Sequence, residues 1–197
     1  FARSVQLVKT GMLKLFKHKW LFPLAGGLLV ILITTLLGKP DYLGLGVRPQ
    51  YPGAVTITSA FSTGGANTWS WFWKTLYTAL TLGSGFKGGE VTPLFYIGAT
   101  LGNTLAGLLN TPAGLFAALG FIAVFAGATN TPLACSLMGI ELFGATYGLY
   151  FFAACFIAWM FSGHRGIYSA QTVAVPKLLH RVFRGEKGNQ KHNARRN

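Results

Sequence analysis

Trp20 to Gly38 is an uncharged run of 19 residues, bracketed by Lys19 and Lys39. About 20 predominantly apolar residues suffice to span a bilayer as a helix, so the run predicts one span over 20–37. Ahead of it, residues 4–18 set Leu7, Met12, Leu13, Leu15 and Phe16 among lysines, the pattern of a helix lying in the membrane interface. Pro40-Asp41, Gly44, Gly46, Pro49, Pro52 and Gly53 then read as a loop. The Thr/Ser-rich run from Thr56 to Gly65 is too polar and short to span alone, and only a short helix over 54–60 is expected there. Trp69-Ser-Trp-Phe-Trp73 has the character of an interfacial aromatic belt and opens a helix over 68–82. Val91 to Ile140 is 50 residues without a charge, cut into three pieces at Asn110-Thr-Pro and Asn130-Thr-Pro. Helices are expected at 90–109, 113–127 and 131–142, then at 147–162 and 168–184. Several are short for a full crossing. Helices that end inside a bilayer must face protein or a watery cavity, and broken helices aiming their N-termini inward are how transporters hold anions.

Composition sharpens this picture. Charged residues are 11%, hydrophobic residues 51% and aromatic residues 14%, with mean hydropathy +0.45; ordinary globular chains carry roughly 25% charged residues. A soluble domain and a disordered basic tail are both excluded. The net charge of +13 would suit nucleic-acid binding, but its distribution argues otherwise. Five basic residues lie within 1–20 and seven within 177–197, apart from most of the aromatics, whereas a nucleic-acid surface interleaves the two. Basic flanks around apolar runs orient membrane helices with Lys and Arg inside, which places both termini in the cytoplasm. The basic C-terminal run suits anionic lipid. No signal-peptide order of regions is read from Phe1 onward, and the chain reads as a piece of something longer. Cys135 and Cys155 are lone thiols in apolar runs, and His18, His164, His180 and His192 have no metal-like spacing. Neither a metal nor another cofactor is called for, and no nucleophile–base set suggests an enzyme.

The stretch that carries chemistry is Gly83-Ser-Gly-Phe-Lys-Gly-Gly-Glu-Val-Thr-Pro93. Its four glycines allow a close turn with backbone N–H groups converging, and Pro93 falls in the first turn of the following helix. Such a helix start is an anion site in waiting, although a Gly-rich turn that merely begins a helix has the same sequence. The spacing is not that of a phosphate P-loop. Gly98 and Gly102 form a GxxxG pair for close helix packing. Glu141 ends an apolar helix, and Gly166-Ile-Tyr168 brings a hydroxyl to another helix start. Glu141 and Lys87 have plain structural readings, as a helix-end carboxylate and a loop lysine reaching for the interface.

Together these motifs resemble the second half of the CLC family of chloride channels and anion transporters. The match rests on Gly88 to Gly102, on the Pro-Leu…Glu helix from Pro132 to Glu141, and on Tyr168 after a glycine-containing break. The resemblance implies an all-α integral membrane fold of broken, tilted helices, the second of two inverted-repeat halves. Residues 1–184 would form that half, and 185–197 a basic cytoplasmic tail. It further implies that the amides of Glu90 and Val91 and the hydroxyl of Tyr168 coordinate a dehydrated anion, with Gly88 and Gly89 shaping the loop. Chloride-handling relatives mostly carry an apolar residue at the position of Glu90 and an aromatic one at Val91. Glu90 and Thr92 here resemble the fluoride/proton antiporter branch, in which a polar pair lines the anion and proton path. A small, strongly hydrated anion needs more donors to replace its water, and a carboxylate beside it in a low dielectric holds its proton more tightly. The implied partners are a halide and protons, lipid, a second copy, and a complementary N-terminal half carrying the gating glutamate. The second copy would meet the helices within 132–162 through Ala134, Gly139, Gly144, Phe151 and Phe152. The implied location is a bacterial inner (plasma) membrane. Two alternatives stand beside proton-coupled transport: a passive chloride channel, and a non-transporting half that serves only in assembly.

Overall fold

The computed structural model describes residues 1–18, 20–163 and 166–167. These form seven α-helices: α1 (Ala2–Leu15), α2 (Leu21–Leu37), α3 (Ser70–Gly83), α4 (Val91–Leu109), α5 (Ala113–Thr129), α6 (Pro132–Phe143) and α7 (Gly148–Phe161). The helix expected at 168–184, Tyr168 and the tail 185–197 lie outside the described residues.

Two helix ends share one device. Asn110 and Asn130 sit in the left-handed region with φ of 52° and 58°, stopping α4 and α5. Asparagine tolerates this conformation, and each is followed by Thr-Pro, whose proline cannot continue the preceding helix but suits the start of the next. Gly38, at φ 64°, stops α2 in the same way. That stop matters for the span expected over 20–37. α2 is 17 residues long, about 25 Å at 1.5 Å per residue, against a hydrocarbon core of about 30 Å. Among the described residues no helix is long and apolar enough to cross a membrane by itself.

The helix expected at 54–60 shrinks to a single 3-10 turn, Ser59–Phe61. Local side-chain bonds compete with the helix there. The Thr56 amide donates to Ser59 Oγ at 2.8 Å, the Ser59 amide donates to Thr56 Oγ1 at 3.0 Å, and Ser59 Oγ donates to the Gly65 carbonyl at 2.7 Å.

The centre of the fold is the α4–α5 hairpin. A Cβ on Gly98 would strike the Gly120 carbonyl, and one on Gly102 the Phe116 carbonyl, so the two backbones touch and run antiparallel. The GxxxG pair does what its spacing predicts. Around the hairpin, Ala118, Phe121, Ile122 and Ala126 of α5 pack with Cys135 of α6 and with Phe151 and Cys155 of α7. Two residues expected at a subunit interface are consumed here. Phe151 is fully buried, and Gly139 is buried where a Cβ would strike Ile122 and the Phe151 ring; both face inward because the α5–α6–α7 core needs them. Ala134 and Gly144 are exposed and Phe152 is half-buried. The loop after α2 wraps α3 and α4 through Tyr42, Val55, Tyr77 and Tyr96. It is pinned by Asn103, whose amide donates to the Ala60 and Ser62 carbonyls, each at 2.7 Å.

Candidate functional site

α3 ends and α4 begins on either side of the Gly-rich loop. Gly83 has no room for a side chain, because α1 lays Val5 and Val8 directly on it. Ser84 is fully buried against Gly26 of α2. Gly85, at φ 90°, makes the turn, with its amide donating to the Leu82 carbonyl at 3.1 Å and that of Phe86 to the Thr81 carbonyl at 3.3 Å. Of the loop's four glycines only Gly85 adopts a left-handed backbone. Gly88 and Gly89 are exposed, and a Cβ on Gly89 would meet open space.

Glu90 is the N-cap of α4. Its carbonyl accepts from the Leu94 amide at 3.3 Å, while its carboxylate forms no cap hydrogen bond. Val91 and Thr92 are the first two helical residues, whose N–H groups have no acceptor within a helix. Pro93 has no N–H to offer, so donors at this end come from Glu90, Val91 and Thr92. Glu90, Val91 and Thr92 are half-buried and Lys87 is exposed. The arrangement is a positive helix end opening onto an uncovered loop, suited to an anion.

Tyr168, the third expected anion ligand, lies outside the described residues. Its neighbour Ile167 donates its amide to the Ala128 carbonyl at 2.9 Å. Ala128 is at the C-terminal end of α5, which in the antiparallel hairpin is the end holding the first turn of α4; there Phe95 stacks on Phe121 with centroids 4.0 Å apart. The structure therefore brings Glu90, Val91 and Thr92 together and leads the chain back to their end of the hairpin. Glu141 stands apart, exposed in the last turn of α6.

Two features were not legible as sites in the sequence. Lys74, in the middle of α3, is 1% exposed. Its Nζ donates to the carbonyls of Tyr42 at 3.1 Å and Gly44 at 2.6 Å, and lies 5.0 Å from the centre of the Tyr96 ring. A lone cation in an apolar helix was the available signal. The second is a pair of adjoining cavities of about 480 and 330 Å³ at the far end of α3 from the Gly-rich loop, both lined by Lys39 and Asn67.

Short helices stopped by asparagine and glycine, stacked around a glycine-tight hairpin with one helix start left open, define a broken-helix membrane architecture. The chain belongs to the voltage gated chloride channel (CLC) family, whose model matches residues 1–163, and it is an integral membrane protein. It is 44% identical over 183 residues to a chloride/fluoride channel protein of Pseudomonas syringae pv. tomato, covering 90% of this chain and 39% of that protein. A solved CLC-type fluoride/proton antiporter matches with a TM-score of 0.76 and 36% identity, covering 87% of this chain and 42% of that one. An uncharacterized protein of Methanocaldococcus jannaschii is 33% identical over 76 residues, 39% of this chain and 19% of that protein. The chain spans about two-fifths of the length of the first of these relatives and of the antiporter. The all-helical fold expected from the sequence is the fold found.

Proposed function

We propose that residues 1–184 form the C-terminal half of a CLC-type anion transporter that exchanges a halide, fluoride foremost, for protons, and that 185–197 are its basic cytoplasmic tail. The observation that carries the reading is the open start of α4. The amides of Val91 and Thr92 have no intrahelical acceptor, and the Glu90 carboxylate leaves its own helix end uncapped. An anion there accepts from the amides of Glu90 and Val91, with that of Thr92 beside them, the Tyr168 hydroxyl as a further donor and Gly88 and Gly89 keeping the approach clear. The Thr92 hydroxyl and a protonated Glu90 add the donors that a strongly hydrated anion requires, and Glu90 passes a proton along the same path. No covalent chemistry is involved. The likeness to a chloride/fluoride channel protein and to a fluoride/proton antiporter supports this ion and this coupling. Two such units pair through the outer faces of α6 and α7, where Leu133, Leu137, Leu149 and Ile157 are exposed. Both termini face the cytoplasm of a bacterial inner membrane.

The exposed loop needs a second half to close it, supplied by the same or another polypeptide, since such sites lie between two inverted repeats. The test is anion efflux from liposomes holding this chain alone or with a complementary N-terminal half, with fluoride, chloride and protons followed together. Fluoride efflux with opposite proton movement is expected only with both halves, and is lost when Glu90→Ile and Val91→Phe are combined. Equal chloride efflux without proton movement would reassign the protein as a passive chloride channel. Silence from an inserted, assembled pair would leave a non-transporting assembly subunit.

A further inference from the structure

The two cavities at the N-terminal end of α3 adjoin across Lys39 and Asn67, one with a polar lining and the other with an aromatic one. We treat them as one cleft whose polar end is its floor and whose aromatic end is its mouth. The mouth is Leu37, Trp69 and Trp73; Trp69 is 61% exposed in a cluster where indoles settle at the level of lipid headgroups. Lys39 and Asn67 line both cavities and join them. The floor includes Asp41, which is 5% exposed with an Oδ1 that has no hydrogen-bond partner. Tyr51 lines the same cavity as Asp41, and the carboxylate beside it is the main reason its phenol is pushed up to about 12. No lysine or arginine forms an ion pair with Asp41 among the described residues. Lys74 is occupied with the Tyr42 and Gly44 carbonyls, and Lys39 is exposed at the junction of the cavities. A buried carboxylate oxygen without a partner is costly. Oδ1 is closed off from the cavity that Asp41 lines, so a cationic donor there relieves it by drawing the carboxylate round toward the lining.

We propose that this cleft binds the headgroup of a zwitterionic aminophospholipid, with the primary ammonium of the ethanolamine on Asp41, the phosphate facing Lys39, and the glycerol end between Trp69 and Trp73. The order of charges in the cleft matches that of the headgroup: the negative group is at the floor, the positive group is nearer the mouth, and the apolar surface is outermost. An ammonium carrying N–H groups is selected over a quaternary one because Asp41 Oδ1 needs a donor. The inference rests on the chain's membrane location and not on the transport reading, so an inactive protein that binds the lipid would leave it intact.

The test is native mass spectrometry of the detergent-solubilised chain with phosphatidylethanolamine, its N-methyl and N,N-dimethyl derivatives, and phosphatidylcholine in pairwise competition. Retention is expected to fall as N–H groups are removed, with phosphatidylethanolamine held about ten-fold over phosphatidylcholine, as one charge-assisted hydrogen bond gives. Asp41→Asn is expected to bring that ratio near one, whereas Lys39→Gln weakens all four lipids together. The headgroup series on the unaltered chain decides the matter even if Asp41→Asn misfolds. Equal retention across the series overturns the proposal. So does release of phosphatidylethanolamine by millimolar sodium or calcium, which would make Asp41 a metal-cation site. Loss of the lipid on assembly with a complementary N-terminal half overturns it too, by assigning the cleft to that interface.

Discussion

Lys74 shows how a single residue in an apolar helix is tolerated. Its ammonium holds two loop carbonyls that accept from no other donor among the described residues, and lies over the Tyr96 ring. It ties the loop after α2 to α3. Lys74→Met keeps the length of the side chain and strands both carbonyls, so stability is expected to fall by about 1–3 kcal/mol. The measurement is the midpoint temperature at which the detergent-solubilised protein loses monodisperse elution. Lys74→Arg is not expected to rescue it, because the broader guanidinium has no space at a site 1% exposed. An unchanged midpoint for Lys74→Met would show that the loop is held without it. Asn103 performs a similar task for the Ala60 and Ser62 carbonyls. Neither pairing is legible in the sequence, since the acceptors lie 30 to 43 residues away.

At the scale of helices, glycine sets the distances. Gly98 and Gly102 bring α4 onto α5 backbone to backbone, Gly83 receives α1, and Gly26 receives Ser84. Gly98→Leu must push α5 away and is expected to cost at least the 1–3 kcal/mol or so of an overpacked core. Gly107→Leu, in the same helix but facing open space, is expected to leave stability nearly unchanged. The pair is compared by yield of folded protein and by the same heating assay, and equal losses would refute the close-packed seam. The GxxxG spacing was readable along the chain. Which helix it meets was not, because Gly120 carries no mark distinguishing it from any other glycine. The aromatic stack of Phe95 on Phe121 likewise exists only because the hairpin closes antiparallel.

For the whole molecule, the open loop is the decisive feature. Gly88, Gly89 and Lys87 are exposed, and the described residues leave the α4 start uncovered. If a second half closes it, a cysteine placed at Gly89 reacts readily with a water-soluble thiol reagent on this chain alone. At least a ten-fold slower reaction is expected once a complementary N-terminal half is present. The native thiols add little background, as Cys135 and Cys155 are buried in the core. A labelling rate that does not change on assembly would place the anion path elsewhere. The sequence by itself determined the membrane character, where α2 to α7 begin and end to within a few residues, and the start of α4 after a Gly-rich turn. These follow from uncharged runs, Asn-Thr-Pro stops and a Gly-rich turn, all of them preferences acting within a few residues. Tertiary structure alone decided that Gly139 and Phe151 turn inward, that Lys74 binds a distant loop, and that Asp41 floors a cleft without a partner. Those outcomes depend on where segments 30 or more residues apart come to lie, and close packing and hydrogen-bond demand settle that only when the chain folds.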